Sequence, residues 1–139
     1  MTTSVVIPSY NGLQYLTKNL PYVVKMGVDE IIIVDDASTD GSADFIANNY
    51  PKVKLIRHNI NKRFPISVND GFKNATGDII FLLNQDLKPQ KNLVKNTLKH
   101  FFDPFVFAVT FNENNRSWAD GYWKNGMLEF KNGVLDNQI

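Results

Sequence analysis

Short apolar runs alternate along this chain with stretches of helical spacing, and that alternation leaves few folds open to it. The runs are Val5 to Pro8, Ile31 to Val34, Val53 to Ile56, Ile79 to Leu83 and Phe105 to Thr110. Each is too short for a helix and rich in β-formers, so each predicts a buried strand. Between the first two, Leu13, Leu16, Leu20, Val23 and Val24 recur at the spacing of one apolar helix face, with Pro21 expected to kink or restart the helix. Further helices are predicted over Asp40 to Tyr50, Pro65 to Ala75 and Pro89 to Phe102, the last with proline near its first turn. Strands that alternate with helices imply an α/β fold with a mostly parallel central sheet covered on both faces. In the tail, MLEFKNGVLD places Asn132 and Gly133 where a tight turn would close a C-terminal antiparallel hairpin. No repeat, low-complexity stretch or linker divides residues 1–139, so one domain is expected.

Composition narrows the partners. Among 139 residues, 15 Lys and Arg stand against 14 Asp and Glu, so the net charge of +1 exerts no general pull on nucleic acid. Any bound anion must be held locally. The absence of cysteine excludes thiolate zinc sites, disulfides and thiol nucleophiles. No apolar run approaches the roughly 20 residues of a membrane span, and MTTSVVIPSYN lacks the basic start of a signal peptide. The expectation is a soluble, cytoplasmic protein.

Two strand ends carry carboxylates. IIIVDDASTDGS closes an aliphatic run on Asp35 and Asp36, and FLLNQDLKP closes another on Asn84 and Asp86. In open α/β sheets ligands sit beyond the carboxyl ends of the strands. Adjacent strand residues point to opposite faces, so one of Asp35 and Asp36 is expected to face a ligand and the other to brace the turn, with Ser38, Thr39 and Asp40 capping the next helix. Residues two apart share a side, so Asn84 and Asp86 can reach one point. Oxygen ligands of this kind suit Mg²⁺ or Mn²⁺ shared with substrate phosphates. The competing structural readings are strand termination at Asp35 and Asp36 and an Asx turn at Asn84.

SVVIPSYN, EIIIVDDASTDGS, RFPISVNDGFKNATGDIIF and LLNQD, in that order over about residues 3 to 110, resemble the inverting glycosyltransferase family 2, whose GT-A fold is a three-layer nucleotide-diphosphosugar-binding architecture. The resemblance implies that Pro8 and Tyr10 line a base pocket, that Asp36 accepts from a uracil or thymine N–H, and that Arg63 reaches the nucleotide or its diphosphate. Asn84, Gln85 and Asp86 occupy the D-x-D position, with Asp86 on the metal; the N-x-D form is similar to that of rhamnosyltransferase-like members. A UDP- or dTDP-sugar would be the donor, Mg²⁺ or Mn²⁺ the cofactor, and a saccharide or lipid-linked molecule of polysaccharide biosynthesis the acceptor. Such a role is compatible with peripheral association at the inner face of a membrane and with a homo-oligomer.

The chain departs from the family pattern in two places. Asn61, Lys62, Arg63 and Phe64 stand where N-x-D members often carry Asn-x-Gly-Phe, so two cations occupy a stretch normally eased by glycine. No acidic residue after Asp86, whether Asp103, Glu113, Asp120, Glu129 or Asp136, lies in a context matching the family's general base, so the acceptor half reads as missing or shortened and the catalytic residue is unknown. His58 and His100 read as surface or helix-end residues, and Trp118, Tyr122 and Trp123 as packing or sugar-stacking groups. A noncatalytic nucleotide-sugar-binding module or a transferase fragment is the alternative reading. A phosphorelay receiver, with Asp35, Asp36 and Asp86 around Mg²⁺, is the remote one.

Overall fold

The computed structural model describes residues 1–111 together with the strands 128–131 and 134–137. The chain divides into two compact units, Met1–Lys99 and His100–Ile139. In the first, four parallel strands form one sheet in the order β3-β2-β1-β4, where β1 is Thr3–Ser9, β2 Glu30–Asp35, β3 Lys54–Arg57 and β4 Ile79–Leu82. Helices α1 (Leu13–Val24), α2 (Ser42–Asn49) and α3 (Arg63–Asn74) make the crossovers, and α4 (Leu93–Leu98) follows β4. The first two crossovers build the sheet outward from β1 through β2 to β3, and the third returns past β1 to lay β4 on its other side. The carboxyl ends of β1 and β4 therefore flank the point where the winding reverses, the place at which open α/β sheets bind ligands.

Side-chain alternation builds the core. Val6, Ile32 and Val34 are fully buried and pack with Ile56, Ala75 and Ile80 on one face. Helix α3 lies close on that face because Gly71 has no side chain: a β-carbon there would collide with Val6 and crowd Val34. Val5, Ile7 and Ile33 alternate to the opposite side, and α1 and α2 supply the buried Leu16, Leu20, Val23 and Ile46. Burial of three apolar side chains carries α1 unbroken through Pro21, where a kink was expected; one missing donor near the last turn does not end it.

Two further expectations are corrected. The helix predicted from Pro89 begins only at Leu93 and tightens into a 3₁₀ turn over Lys99–Phe102. Residues 105–110, predicted as a fifth strand, form none: Phe105 is 94% and Phe107 81% exposed, so the run does not bury its apolar side chains as a core strand does. In the second unit, β5 (Leu128–Lys131) and β6 (Val134–Asn137) pair antiparallel with Lys131 opposite Val134, as the hairpin reading anticipates. Trp118, Asp120, Tyr122, Trp123, Asn132 and Gly133 lie outside the described residues.

Candidate functional site

Beyond the carboxyl ends of β1, β2 and β4 lies a cleft of about 590 Å³ lined by Pro8, Ser9, Tyr10, Asp36, Asn61, Arg63, Phe64, Ser67, Asn84, Gln85 and Asp86. All six residues singled out from the sequence, Pro8, Tyr10, Asp36, Arg63, Asn84 and Asp86, are brought together there. They come from four separated segments, so only the winding of the sheet makes them neighbours. Strand β1 delivers Pro8 and Tyr10, whose ring is half-exposed. Strand β4 ends at Leu82, two residues before Asn84, so Asn84 and Asp86 do not share a strand face as expected. They sit instead in a turn closed by Leu87 N–H donating to the Asn84 carbonyl at 3.1 Å, and they still line the cleft together.

Gln85, between them, braces the site. Its Oε1 accepts from Ser9 Oγ at 2.8 Å and from Tyr10 N–H at 3.1 Å, while its Nε2 donates to the Tyr10 carbonyl at 3.3 Å. The amide fits because Gly12 presents no side chain where a β-carbon would overlap it. This cross-link ties the end of β1 to the turn after β4.

The two adjacent carboxylates separate in role. Asp35 is buried; its Oδ2 accepts from Ser38 N–H at 3.2 Å, and its Oδ1 has no partner among the described residues. Asp36 lines the cleft with a side chain only 4% exposed. Its Oδ1 faces His58 Nδ1 at 2.7 Å and accepts from Lys62 N–H at 2.8 Å, and its Oδ2 accepts from Arg63 N–H at 2.7 Å. Burial alone would raise its pKa, but the His58 ring and the two main-chain donors outweigh that and hold it below the ordinary carboxylate range. These N–H groups open α3, whose N-cap residue Lys62 supplies no side-chain cap; Asp36, joined by Asn61 Oδ1 3.1 Å from the Arg63 N–H, caps a helix that begins 27 residues further along the chain. Three donors occupy three of about four lone-pair positions, leaving one on Oδ2 for a ligand N–H.

His58 corrects the surface reading made from sequence. Its side chain is 4% exposed and spans Asp36 and Asp70, with Nε2 3.1 Å from Asp70 Oδ2. The signal that could have found it is the one that pointed to Asp36: His58 directly follows the carboxyl end of a parallel strand. Of the two neighbouring cations, Lys62 turns from the cleft, its Nζ 3.9 Å from Asp70, whereas Arg63 lines the cleft and pairs with no described carboxylate. Of the three residues expected to cap the next helix, Asp40 does so, accepting from Ser42 N–H at 3.0 Å and also from Leu13 N–H at 2.8 Å, whereas the Ser38 hydroxyl accepts from Asn11 N–H and the Thr39 N–H donates to Asn11 Oδ1.

Backbone strain gathers at the same place. Among the described residues, the non-glycine positions with positive φ are Asn11 at 47°, Ala37 at 62° and Arg63 at 72°. Each is a cleft residue or follows one directly. Arg63 takes the left-handed conformation at the position where the family pattern has glycine.

The sequence model described as Glycosyl transferase family 2 matches residues 4–137. The chain belongs to this family. A dolichol-phosphate mannosyltransferase of Pyrococcus furiosus is 31% identical over 135 residues, covering 93% of this chain and 36% of the relative. A dolichyl N-acetyl-alpha-D-glucosaminyl phosphate 3-beta-D-2,3-diacetamido-2,3-dideoxy-beta-D-glucuronosyltransferase of Methanococcus voltae is 28% identical over 107 residues, or 70% of this chain and 33% of that one. The chain thus spans about a third of the length of these curated relatives. Among solved structures, S. aureus TarS superposes on 75% of this chain and 20% of its own at a TM-score of 0.64 with 27% identity. Its 1–349 segment in complex with UDP covers 91% of this chain and 40% of its own at a TM-score of 0.69 with 24% identity, a likeness of fold. The family-2 chain therefore has the GT-A architecture. No described helix is long and apolar enough to cross a membrane.

Proposed function

We propose that the cleft binds a UDP- or dTDP-sugar together with Mg²⁺ or Mn²⁺, as the donor site of a transferase that moves the sugar to an acceptor hydroxyl with inversion. The observation that carries this reading is the convergence, at the reversal point of the sheet, of a buried acceptor carboxylate, an arginine that pairs with no described carboxylate and an exposed carboxylate in one cleft. Tyr10 and Pro8 would border the base, the remaining lone pair of Asp36 would accept its N–H, and Arg63 and Asn84 would meet the diphosphate. The TarS segment of like fold is described with UDP and with UDP-GlcNAc, which favours a uridine nucleotide here.

The metal reading is supported by Asp86, which is exposed, lines the cleft and makes no hydrogen bond or ion pair with a described residue. No group of three or more His, Asp or Glu able to hold a metal gathers among the described residues, so Asp86 would contribute one carboxylate and leave the remaining positions to phosphate and water. Such a cation would offset the negative charge that develops on the departing diphosphate. The protein's own residues would fix the base and the diphosphate so that the anomeric carbon faces the acceptor side.

Asp36 and Asp86 are the carboxylates among the described lining residues, and both have duties in donor binding, so neither is assigned as the base for an acceptor hydroxyl. We therefore read residues 1–139 as a donor-binding domain whose transfer is slow when the chain acts alone. The acceptor would be a saccharide or a lipid-linked molecule, and the dolichol and dolichyl phosphates in the names of two relatives favour the second. Calorimetric titration with UDP, in Mn²⁺ and in chelator, tests the reading. Wild type should bind more tightly with metal and Asp86→Ala should lose that difference; equal metal dependence in both would overturn the role of Asp86. Rapid acceptor-dependent transfer from a UDP-sugar would overturn the reading that this chain alone transfers slowly, while supporting the donor site.

A further inference from the structure

Behind the cleft wall, Asp36 leads into two titratable groups, His58 and Asp70, that donor binding as described leaves unused. His58 lies between Asp36, at the end of β2, and Asp70, on α3, with its ring nitrogens 2.7 Å and 3.1 Å from their oxygens. Asp70 also faces Lys62 Nζ at 3.9 Å and Lys73 Nζ at 4.0 Å, and the Asp35 carbonyl accepts the His58 main-chain N–H at 2.9 Å. A carboxylate only accepts, so an imidazole held between two of them satisfies both only when each ring nitrogen carries a hydrogen. That state is the imidazolium.

We propose that His58 is a positioning residue whose imidazolium offsets the buried Asp36 charge in the cleft wall, so that the cleft takes up a nucleoside diphosphate together with a proton on His58. The inference rests on the nucleotide reading of the cleft. Two consequences of the geometry carry it. A neutral ring leaves either Asp36 or Asp70 facing a nitrogen lone pair, which loosens one of the two contacts that hold the ring against Asp36 beside the N–H groups opening α3. It also leaves the full charge of Asp36 uncompensated in a cleft that must receive an anion. Both weaken binding as pH rises. By linkage, a ligand that prefers the protonated protein raises the protonation midpoint by the same factor.

The test follows the ¹⁵N-labelled imidazole of His58 by NMR between about pH 5 and pH 8, the range in which histidine charge changes, with and without saturating UDP. The expected result is a midpoint raised by about one unit in the complex, matching a roughly tenfold loss of UDP affinity on deprotonation, the scale of one hydrogen bond to a charged group. Reading the ring itself separates this effect from titration of the UDP phosphate. Asp70→Asn should move the midpoint to lower pH, because one of the two flanking negative charges is gone. His58→Asn, which keeps a donor toward Asp36 but cannot titrate, should flatten the pH profile of UDP affinity relative to wild type. A midpoint that UDP leaves unmoved, or that falls outside the window, overturns this inference while leaving nucleotide binding intact. Failure to bind UDP at any pH overturns both.

Discussion

Replacing Arg63 with glycine sets the backbone and the side chain of one residue against each other. With φ at 72°, Arg63 occupies the left-handed region, which costs an L-residue roughly 1–2 kcal/mol. Glycine removes that cost but adds about 0.4–1 kcal/mol of conformational entropy to the unfolded chain. The net expectation is a gain of about 0.5–1 kcal/mol, a rise in melting temperature of roughly 2–5 °C. Nothing offsets it elsewhere: the hydrogen bonds that Arg63 donates to Asp36 Oδ2 and Asn61 Oδ1 come from its main chain and survive, and its guanidinium pairs with no described carboxylate. The same substitution deletes the cation in the cleft, and one lost charge-assisted contact to a phosphate weakens UDP binding by about 1.5 kcal/mol, or tenfold. Arg63→Ala is the control, since it loses the cation and keeps the strain. Urea unfolding followed by circular dichroism, with UDP calorimetry at fixed Mn²⁺ and two salt concentrations, reads both effects. Both variants should bind UDP equally weakly and with reduced salt dependence, and only the glycine variant should gain stability. A glycine variant no more stable than the alanine one would refute the strain argument, and unchanged UDP affinity in both would refute the diphosphate role.

Three other perturbations have definite outcomes. Asp36→Asn should weaken UDP binding more than Asp35→Asn, by about 1–3 kcal/mol, because it puts an amide where three donors converge, whereas Asn at 35 still accepts from Ser38; calorimetry giving the reverse ranking would exchange the two assignments. Gly71→Ala should destabilise the chain by about 1–3 kcal/mol in urea, since the added methyl meets Val6 in a fully buried layer, and unchanged stability would refute that packing. Asp29, Glu30, Asp36, Asp40 and Asp78 all have pKa values lowered in the folded state, chiefly by hydrogen bonds that outweigh burial where burial opposes them. A carboxyl lowered on folding stabilises above its unfolded pKa and loses that contribution as protons return, so the urea midpoint should hold at neutral pH and fall below about pH 4. A midpoint unchanged down to about pH 3 would contradict the sign.

Sequence alone determined the strands β1 to β4 to within two residues at each end, the helices between them and the carboxylates at strand ends, because hydrophobic period and strand termination are local properties. Strand-end position and the family resemblance together name six residues that the structure brings to one cleft, since in a parallel sheet every carboxyl end faces the same side. What the sequence left open required contacts between distant segments. Residues 105–110 have the composition of a strand, yet Phe105 and Phe107 stay exposed and no strand forms there. His58 reads as polar and peripheral until α3 brings Asp70 against one side of the ring and β2 brings Asp36 against the other. Arg63 is marked by the sequence as a cation where related members often carry glycine, and the structure adds that its backbone, seated on Asp36, lies in the left-handed region. Periodicity reports which way a side chain points; its partner, and whether its charge is matched, is decided by sheet winding, since hydrogen bonds and ion pairs act over a few ångströms between groups that here lie 12 to 27 residues apart.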